Sequence, residues 1–232
     1  MLFDLRLTTS NFRLNIPIIA TAIVMKQKVD IENWTRKEHY NFFKQFEEPY
    51  YGINVNVDVT AAYKFVKDNG ISFFLYTMYQ SLAASQIIEP FKYRMEGNDV
   101  FIYDQIDASS TVPRANGTFG FGEWPFHPLF EDFARDANKE IERVQSNNLL
   151  ERKALNNVIR FSSLPWINFT SLSHARMFSF VDSCPKISFG KMTEHHGKRT
   201  MPVSVHVNHA LIDGIHVGQY IDCYQELLNK GF

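Results

Sequence analysis

The sequence predicts an α/β or α+β class with one sheet, and three observations carry that expectation. Strand patterns of period two and helix patterns mix along the chain instead of separating into blocks. No internal repeat and no linker divides it. Near the C-terminus an apolar strand, residues 201–205, runs into a polar turn at 206–214 and then an amphipathic helix. A polar group raised at a strand end is where such folds often place chemistry.

The elements follow in order. Residues 1–24 contain a short apolar run that is too brief to span a bilayer. It lacks a small-x-small cleavage site and is followed at once by Lys26 and Lys28. It reads as an extension outside the fold, with Met25 the expected natural first residue and 25–232 a single domain. The first helix is expected over 35–46, because Tyr40, Phe43 and Phe46 recur at helical intervals and Thr35 with Glu38 has capping-box spacing. Glu47-Glu48-Pro49 ends it. Residues 51–59 alternate apolar and polar as a half-buried strand does, and Thr60 starts a helix that Gly70 stops.

Residues 72–88 are apolar nearly all round, so this helix should be buried. A hairpin follows, with Glu96-Gly97-Asn98-Asp99 turning between 93–95 and 100–103. Residues 108–114 read as another strand and the Gly-, Phe- and Pro-rich 116–128 as a loop or edge segment. Residues 129–145 form a strongly amphipathic helix whose charges are a solvated face. Residues 152–161 do not declare a type. Residues 162–170 read as a loop entering a strand, 186–191 as a strand, 195–198 as a turn, and 218–228 as the last helix.

Composition bounds the function. The chain has 232 residues, 45% hydrophobic, enough for a large core, and a net charge of −1. That balance gives no electrostatic reason to expect nucleic acid or a membrane surface. Two cysteines, Cys184 and Cys223, suggest neither a disulfide framework nor a Cys-rich metal site. The 21 phenylalanines are enough to fill a core and line an apolar pocket as well.

The histidines carry the chemical signal. His206 and His209 lie on opposite faces of a strand, so a tetrahedral zinc site built from both is awkward, and no metal is expected. His195 and His196 sit in a polar turn. His209 has two readings from its local pattern: a general base, since neutral imidazole is abundant near pH 7, or a core histidine satisfied by a carbonyl. Asp213 has three: orienting His209, an ordinary turn residue before Gly214, or a buried ion pair with an arginine.

The His209-x-x-x-Asp213-Gly214 pattern resembles the signature of the chloramphenicol acetyltransferase family. Three further stretches strengthen it. Residues 34–40 (WTRKEHY) resemble the family's Trp-x-Arg-x-Glu-His-Phe segment. Residues 93–95 with 100–104 resemble its Phe-Arg-Met and Val-Ile-Trp-Asp hairpin. Residues 161–169 (FSSLPWINF) resemble its Ser-x-x-Pro-Trp-Val-x-Phe motif. Order and spacing agree from about residue 28 to the C-terminus. Dihydrolipoyl acyltransferases share the His motif, but this chain has no lipoyl-type domain, Pro/Ala linker or Asp-His-Arg lead-in.

The resemblance implies a two-layer sandwich, a mixed β-sheet covered by helices. It implies acetyl transfer from acetyl-CoA to a hydroxyl without a covalent enzyme intermediate. His209 would be the base, Ser162 the oxyanion donor, and Asp213 with Arg36 the support of the catalytic turn. Trp166, Ser188 and Met192 would meet CoA. Phe42, Phe43, Phe119, Leu172 and His174 would wall the acceptor pocket. The implied assembly is a cytoplasmic homotrimer with sites between subunits, and its partner is a small-molecule alcohol. The chain departs from the family's pattern at Asn208, Phe43, Met192, and at His174 and Arg176, which should make the acceptor side more polar. Chloramphenicol or a related alcohol is the leading acceptor. A different acceptor, or a catalytically silent binding protein, is the alternative.

Overall fold

The computed structural model describes residues 25–151 and 153–230. The expectation for residues 1–24 lies outside them. The chain runs β1 (Lys26–Lys28), α1 (Lys37–Phe43), β2 (Tyr50–Asp58), α2 (Thr60–Asp68), α3 (Phe73–Ile87), β3 (Tyr93–Glu96) and β4 (Asp99–Tyr103). It continues with β5 (Asp107–Pro113), β6 (Phe119–Trp124), α4 (Phe130–Gln145), β7 (Val158–Ser163), β8 (Lys186–Phe189), β9 (Thr193–His195), β10 (Lys198–Asn208) and α5 (Gly214–Lys230).

The main sheet has the strand order β2-β10-β8-β7-β5-β6, with β9 paired to the start of β10. β7 is parallel to β5 and β8, and the remaining pairs are antiparallel, so the sheet is mixed as expected. A small second sheet, β1-β4-β3, stands apart. Where the mixed strand and helix patterns predicted one sheet, the hairpin forms its own with β1.

Strand alternation gives the main sheet two unlike faces. Ile159 and Phe161 of β7, Ile187 and Phe189 of β8, and Val203, Val205 and Val207 of β10 join one buried apolar cluster with α3, α4 and α5. α3 is buried almost all round, as its uniform apolarity requires. α5 buries Val217, Tyr220, Tyr224 and Leu228, spaced three and four residues apart. The intervening residues of the same strands, Arg160, Ser162, Lys186, Ser188, Ser204 and His206, line the opposite face.

Four expectations need correction. The Thr35–Glu38 capping box does not form: Arg36 holds the N-cap position, without a side-chain cap bond. Of the two readings of 116–128, loop fails for residues 119–124 and edge holds: they are the edge strand β6, paired to β5. Its Gly120 and Gly122 leave room for the side chains of Arg114 and Trp124, which a Cβ would strike. No strand follows Trp166: residues 164–185 make none, although exposure still alternates over 171–177 so that 172, 174 and 176 turn inward. The last helix begins at Gly214, not Gly218.

Arg94, from the small sheet, locks the two sheets together. Fully buried, its guanidinium donates to the carbonyls of Phe91 and Tyr93 beside it and of Asn156 and Val158 at the start of β7. Burial pushes its pKa below the usual arginine range.

Candidate active site

β10 ends at Asn208, and that side chain builds the next turn. Its amide oxygen accepts from the Ala210 N–H at 2.9 Å, while its carbonyl accepts from Leu211 and Ile212, both at 3.0 Å. Its amide nitrogen reaches the Asp182 carbonyl at 3.4 Å. Asn208 is therefore buried and structural, only 2% exposed. The turn it stabilises lifts His209 clear of the sheet, with the His209 N–H donating to Pro49 at 2.9 Å.

The His209 ring stacks on Phe43, with centroids 3.9 Å apart and planes 7° from parallel. Tyr51 flanks it at 4.6 Å. Tyr51 is pushed up to about 12, by burial first and then by the Asp213 charge. It thus stays a neutral phenol, donating to the Ile212 carbonyl at 3.3 Å.

The three readings of Asp213 resolve in favour of the ion pair. Arg36 grips the carboxylate with both Nη1 and Nη2, the second at 3.0 Å from Oδ1. That hydrogen bond holds the Asp213 carboxyl below the usual carboxylate range. Arg36 also reaches the His209 carbonyl at 3.4 Å. Asp213 Oδ1 lies 3.3 Å from His209 Nδ1, yet this nitrogen is buried and makes no hydrogen bond. The hydrogen bonds of this carboxylate run to Arg36 and not to the imidazole. The Asp213 N–H donates to His216 Nδ1 at 3.0 Å, which fixes the first turn of α5.

Ser162 stands elsewhere. It shares a register row with Ser188 on β8 and Ser204 on β10. Its hydroxyl meets that of Ser188 at 2.6 Å. His209 lies five residues beyond Ser204, so it is on the order of 15 Å farther along the sheet and two strands across. One chain does not bring Ser162 and His209 together.

The remaining expected residues divide the same way. Phe42 is exposed beside Phe43. Phe119 is exposed at the start of β6. Trp166, 77% exposed, sits on the turn after β7, which two backbone bonds fasten to the end of β8. Met192 packs against the core between β8 and β9. Ser188 is wholly buried, so its hydroxyl faces Ser162 and no open surface. Leu172 and His174 belong to the segment crossing the polar sheet face. There His174 meets His206 edge to face at 4.7 Å.

Sequence reasoning names His206 and Arg176 but misses Arg160 and Lys186 on that face. Arg160, Lys186 and His206 form a second row beside the serines. Lys186 pairs with Asp182 at 2.6 Å and Arg176 with Glu48 at 2.8 Å. Both cations lie over Tyr50, which burial holds as a phenol. The signal was present as period two: Arg160 precedes Ser162 by two residues, and Lys186 precedes Ser188 by two.

Among the described residues no three His, Cys, Asp or Glu side chains gather as a metal-binding group, and no helix is long and apolar enough to cross a membrane. Both cysteines are free thiols.

A family model described as chloramphenicol acetyltransferase matches residues 25–225. Chloramphenicol acetyltransferase 3 of Escherichia coli is 27% identical over 207 residues, 88% of this chain and 97% of that protein. The Bacillus pumilus chloramphenicol acetyltransferase is 28% identical over 207 residues, covering 88% and 94%. A solved chloramphenicol acetyltransferase superposes with a TM-score of 0.81 at 31% identity, over 88% of this chain and all of that one. A probable dihydrolipoamide acetyltransferase from Listeria monocytogenes shares the fold, with a TM-score of 0.63 at 14% identity over 83% of this chain and 89% of that one.

Proposed function

The chain belongs to the chloramphenicol acetyltransferase family, and on that premise we propose that residues 25–232 are one CoA-dependent O-acetyltransferase domain. The co-substrate is acetyl-CoA and the acceptor is the hydroxyl of chloramphenicol or a related small molecule. One observation carries the reading: a half-exposed imidazole stacked on Phe43, on a turn that Arg36 and Asp213 clamp.

The chemistry follows from that geometry. His209 takes the proton of the acceptor hydroxyl as its oxygen attacks the thioester carbonyl. Such a base contributes on the order of 10² to 10⁴ in rate. The tetrahedral oxyanion accepts a hydrogen bond from Ser162, which is worth about 10² to 10³. Ser188 acts by orienting that hydroxyl. The carbon–sulfur bond then breaks, the imidazolium returns its proton to the CoA sulfur, and the acetyl ester leaves. No covalent enzyme intermediate and no metal take part.

His209 and Ser162 serve one acceptor only if they come from different chains. Their separation on the sheet therefore supports a homotrimer with sites between subunits. Trp166 and Met192 border the CoA side; Phe42, Phe43, Phe119, Leu172 and His174 wall the acceptor side. The enzyme is cytoplasmic.

The test follows free CoA after mixing protein, acetyl-CoA and chloramphenicol. Release that vanishes in His209→Ala is the expected result. Release with other alcohols but not chloramphenicol would move the acceptor and keep the chemistry. Acetyl-CoA binding without release from any acceptor would leave a silent homologue. Sedimentation of a fully active monomer would sink the shared site.

A second acceptor reading rests on a specific observation. The face that carries Ser162 is lined with Arg160, Arg176, Lys186, His174 and His206, an unusual wall for a neutral, largely apolar alcohol.

A further inference from the structure

Two parallel rows cross β7, β8 and β10 on the polar face of the main sheet. One holds Ser162, Ser188 and Ser204; the other holds Arg160, Lys186 and His206. The β8 members and Ser204 are buried, whereas Arg160 and Ser162, on β7, and His206, on β10, are partly exposed, His206 lying against His174. What approaches this face from outside therefore meets Arg160 and Ser162 together.

The cations of this face are not equivalent. Lys186 has Asp182 at 2.6 Å and Arg176 has Glu48 at 2.8 Å. Arg160 has no carboxylate within ion-pair distance among the described residues. Asp182 feels its charge but is bound to Lys186. The Arg160 Nε is buried without a hydrogen-bond partner, and one Nη touches only the sulfur of Cys184, at 4.0 Å. Three fixed cations thus face two carboxylates, and the surplus charge is a guanidinium whose donors are unspent. His174 and His206 add no compensating negative charge. A partly buried guanidinium with open donors is a fork for an oxyanion, because its planar geometry matches a carboxylate or phosphate bidentately.

Arg160 and Ser162 are two residues apart on one strand face, so their Cα atoms are about 6.6 Å apart. We infer that the acceptor is an alcohol carrying an oxyanionic group, a carboxylate or a phosphate, and that Arg160 binds this group while Ser162 serves the reacting carbon. This rests on the acetyltransferase reading of the same site. It sets the acceptor class apart from neutral alcohols and gives a scale: the anion lies a few bonds from the hydroxyl that is acetylated.

The test pairs each anionic alcohol with its neutral counterpart: mandelate with methyl mandelate, and glycerol 3-phosphate with glycerol. Binding to the full-length protein is titrated calorimetrically, and CoA release is followed separately. A charge-assisted hydrogen bond predicts a preference of about tenfold or more for the anion in at least one pair. Arg160→Met should erase that preference. Arg160→Lys, which keeps the charge but loses the fork, should retain only part of it. Should the Met variant fail to melt cooperatively by circular dichroism, a weakened preference in the Lys variant carries the test. The inference is overturned by a wild type indifferent to charge in both pairs. It is equally overturned by a preference that survives Arg160→Lys undiminished, or by an effect confined to the KM of acetyl-CoA, which would assign Arg160 to the phosphates of CoA. Absence of CoA release with every acceptor would instead strike the acetyltransferase reading, and the binding titration would still decide on Arg160.

Discussion

Phe43 lies flat against the imidazole of His209, 3.9 Å between ring centroids and 7° from parallel. The stack uses the faces of both rings; Nδ1 is buried toward Asp213, so Nε2 is the nitrogen left for chemistry. His209 Nδ1 has no hydrogen bond, so packing sets the ring's angle. Phe43→Ala should lower kcat about 10- to 100-fold by letting the ring drift, with a smaller change in KM. Phe43→Tyr keeps the stack and should stay near wild type. Steady-state CoA release measures both; an unchanged kcat in the alanine variant would mean that the turn alone positions the base.

Arg36 and Asp213 join the segment before α1 to the turn before α5, 177 residues apart. Asp213→Asn keeps the shape and removes the charge, leaving a largely buried guanidinium without its counter-ion. The expected cost is about 1.5–3 kcal/mol by denaturant unfolding. In a cycle with Arg36→Met the double variant should cost less than the sum of the singles, with coupling of about 1 kcal/mol or more. The Asp213 carboxyl is depressed in the folded state. Its stabilisation is therefore complete above the unfolded value of 3.8 and is lost as pH falls through the lower folded value. Additive single costs would show that the pair contributes little beyond its parts.

Ser162 and His209 are too far apart in one chain to meet one acceptor, which makes complementation a direct test. His209→Ala and Ser162→Ala are each expected to be nearly inactive. Unfolded together in equal amounts and refolded into mixed oligomers, they should rebuild wild-type sites where a chain with intact His209 meets a neighbour with intact Ser162. Random mixing gives about one quarter of sites. CoA release that stays at the level of the separate variants would place both residues in a single-chain site.

The parts of the fold legible in the sequence are those set by local period. Alternation over 51–59 matched β2, and the apolar run of 72–88 matched the buried α3. What was not legible was set by distant partners. Thr35 fails as a cap because α1 starts later, while Trp34 docks edge-on against Tyr93 at 5.2 Å and Arg36 reaches Asp213. Residues 119–124 read as either loop or edge because of Gly120 and Gly122, and only the neighbouring Arg114 and Trp124 side chains, which need those glycines, decide for the edge strand. His209, Asp213 and Arg36 were legible as a set through their motifs. The offset of Ser162 from His209 needed strand order, which no local pattern encodes. Arg160 was hidden for a simpler reason: a lone arginine in a stretch of undeclared type has no face until its strand is known.

His174 should make stability fall on mild acidification. It lies against His206, with Lys186 and Arg176 nearby and Glu48 beyond them, and its pKa is lowered to about 4, by burial first and then by the charges of His206, Lys186 and Arg176. Between the ordinary value of 6.5 and about 4 the unfolded chain binds a proton that the folded chain refuses. Stability therefore declines as pH falls across that window and this contribution levels off below it. His206 is shifted the same way, for the same leading reason. Melting temperatures from pH 7.5 to 4 should show the decline in the wild type and a shallower one in His174→Gln. Parallel curves would assign the decline to other groups.

Arg94 carries the largest expected stability cost. Its guanidinium satisfies four carbonyls, including two at the start of β7, at 2.6 and 2.9 Å. Arg94→Met has a similar stem but leaves those carbonyls facing a buried apolar group. Each stranded acceptor costs about 1–3 kcal/mol, partly relieved by relaxation or an entering water. A total of about 3 kcal/mol or more corresponds to a fall in Tm of roughly 6–12 °C for a chain of this size. Arg94→Lys supplies one ammonium in place of the fork, so it should recover only part of the loss. Because β7 carries both Arg160 and Ser162, acetyl transfer should be lost at a lower temperature in step with the melt. A variant that melts like the wild type would mean that β7 is held in place by its ladders to β5 and β8 alone.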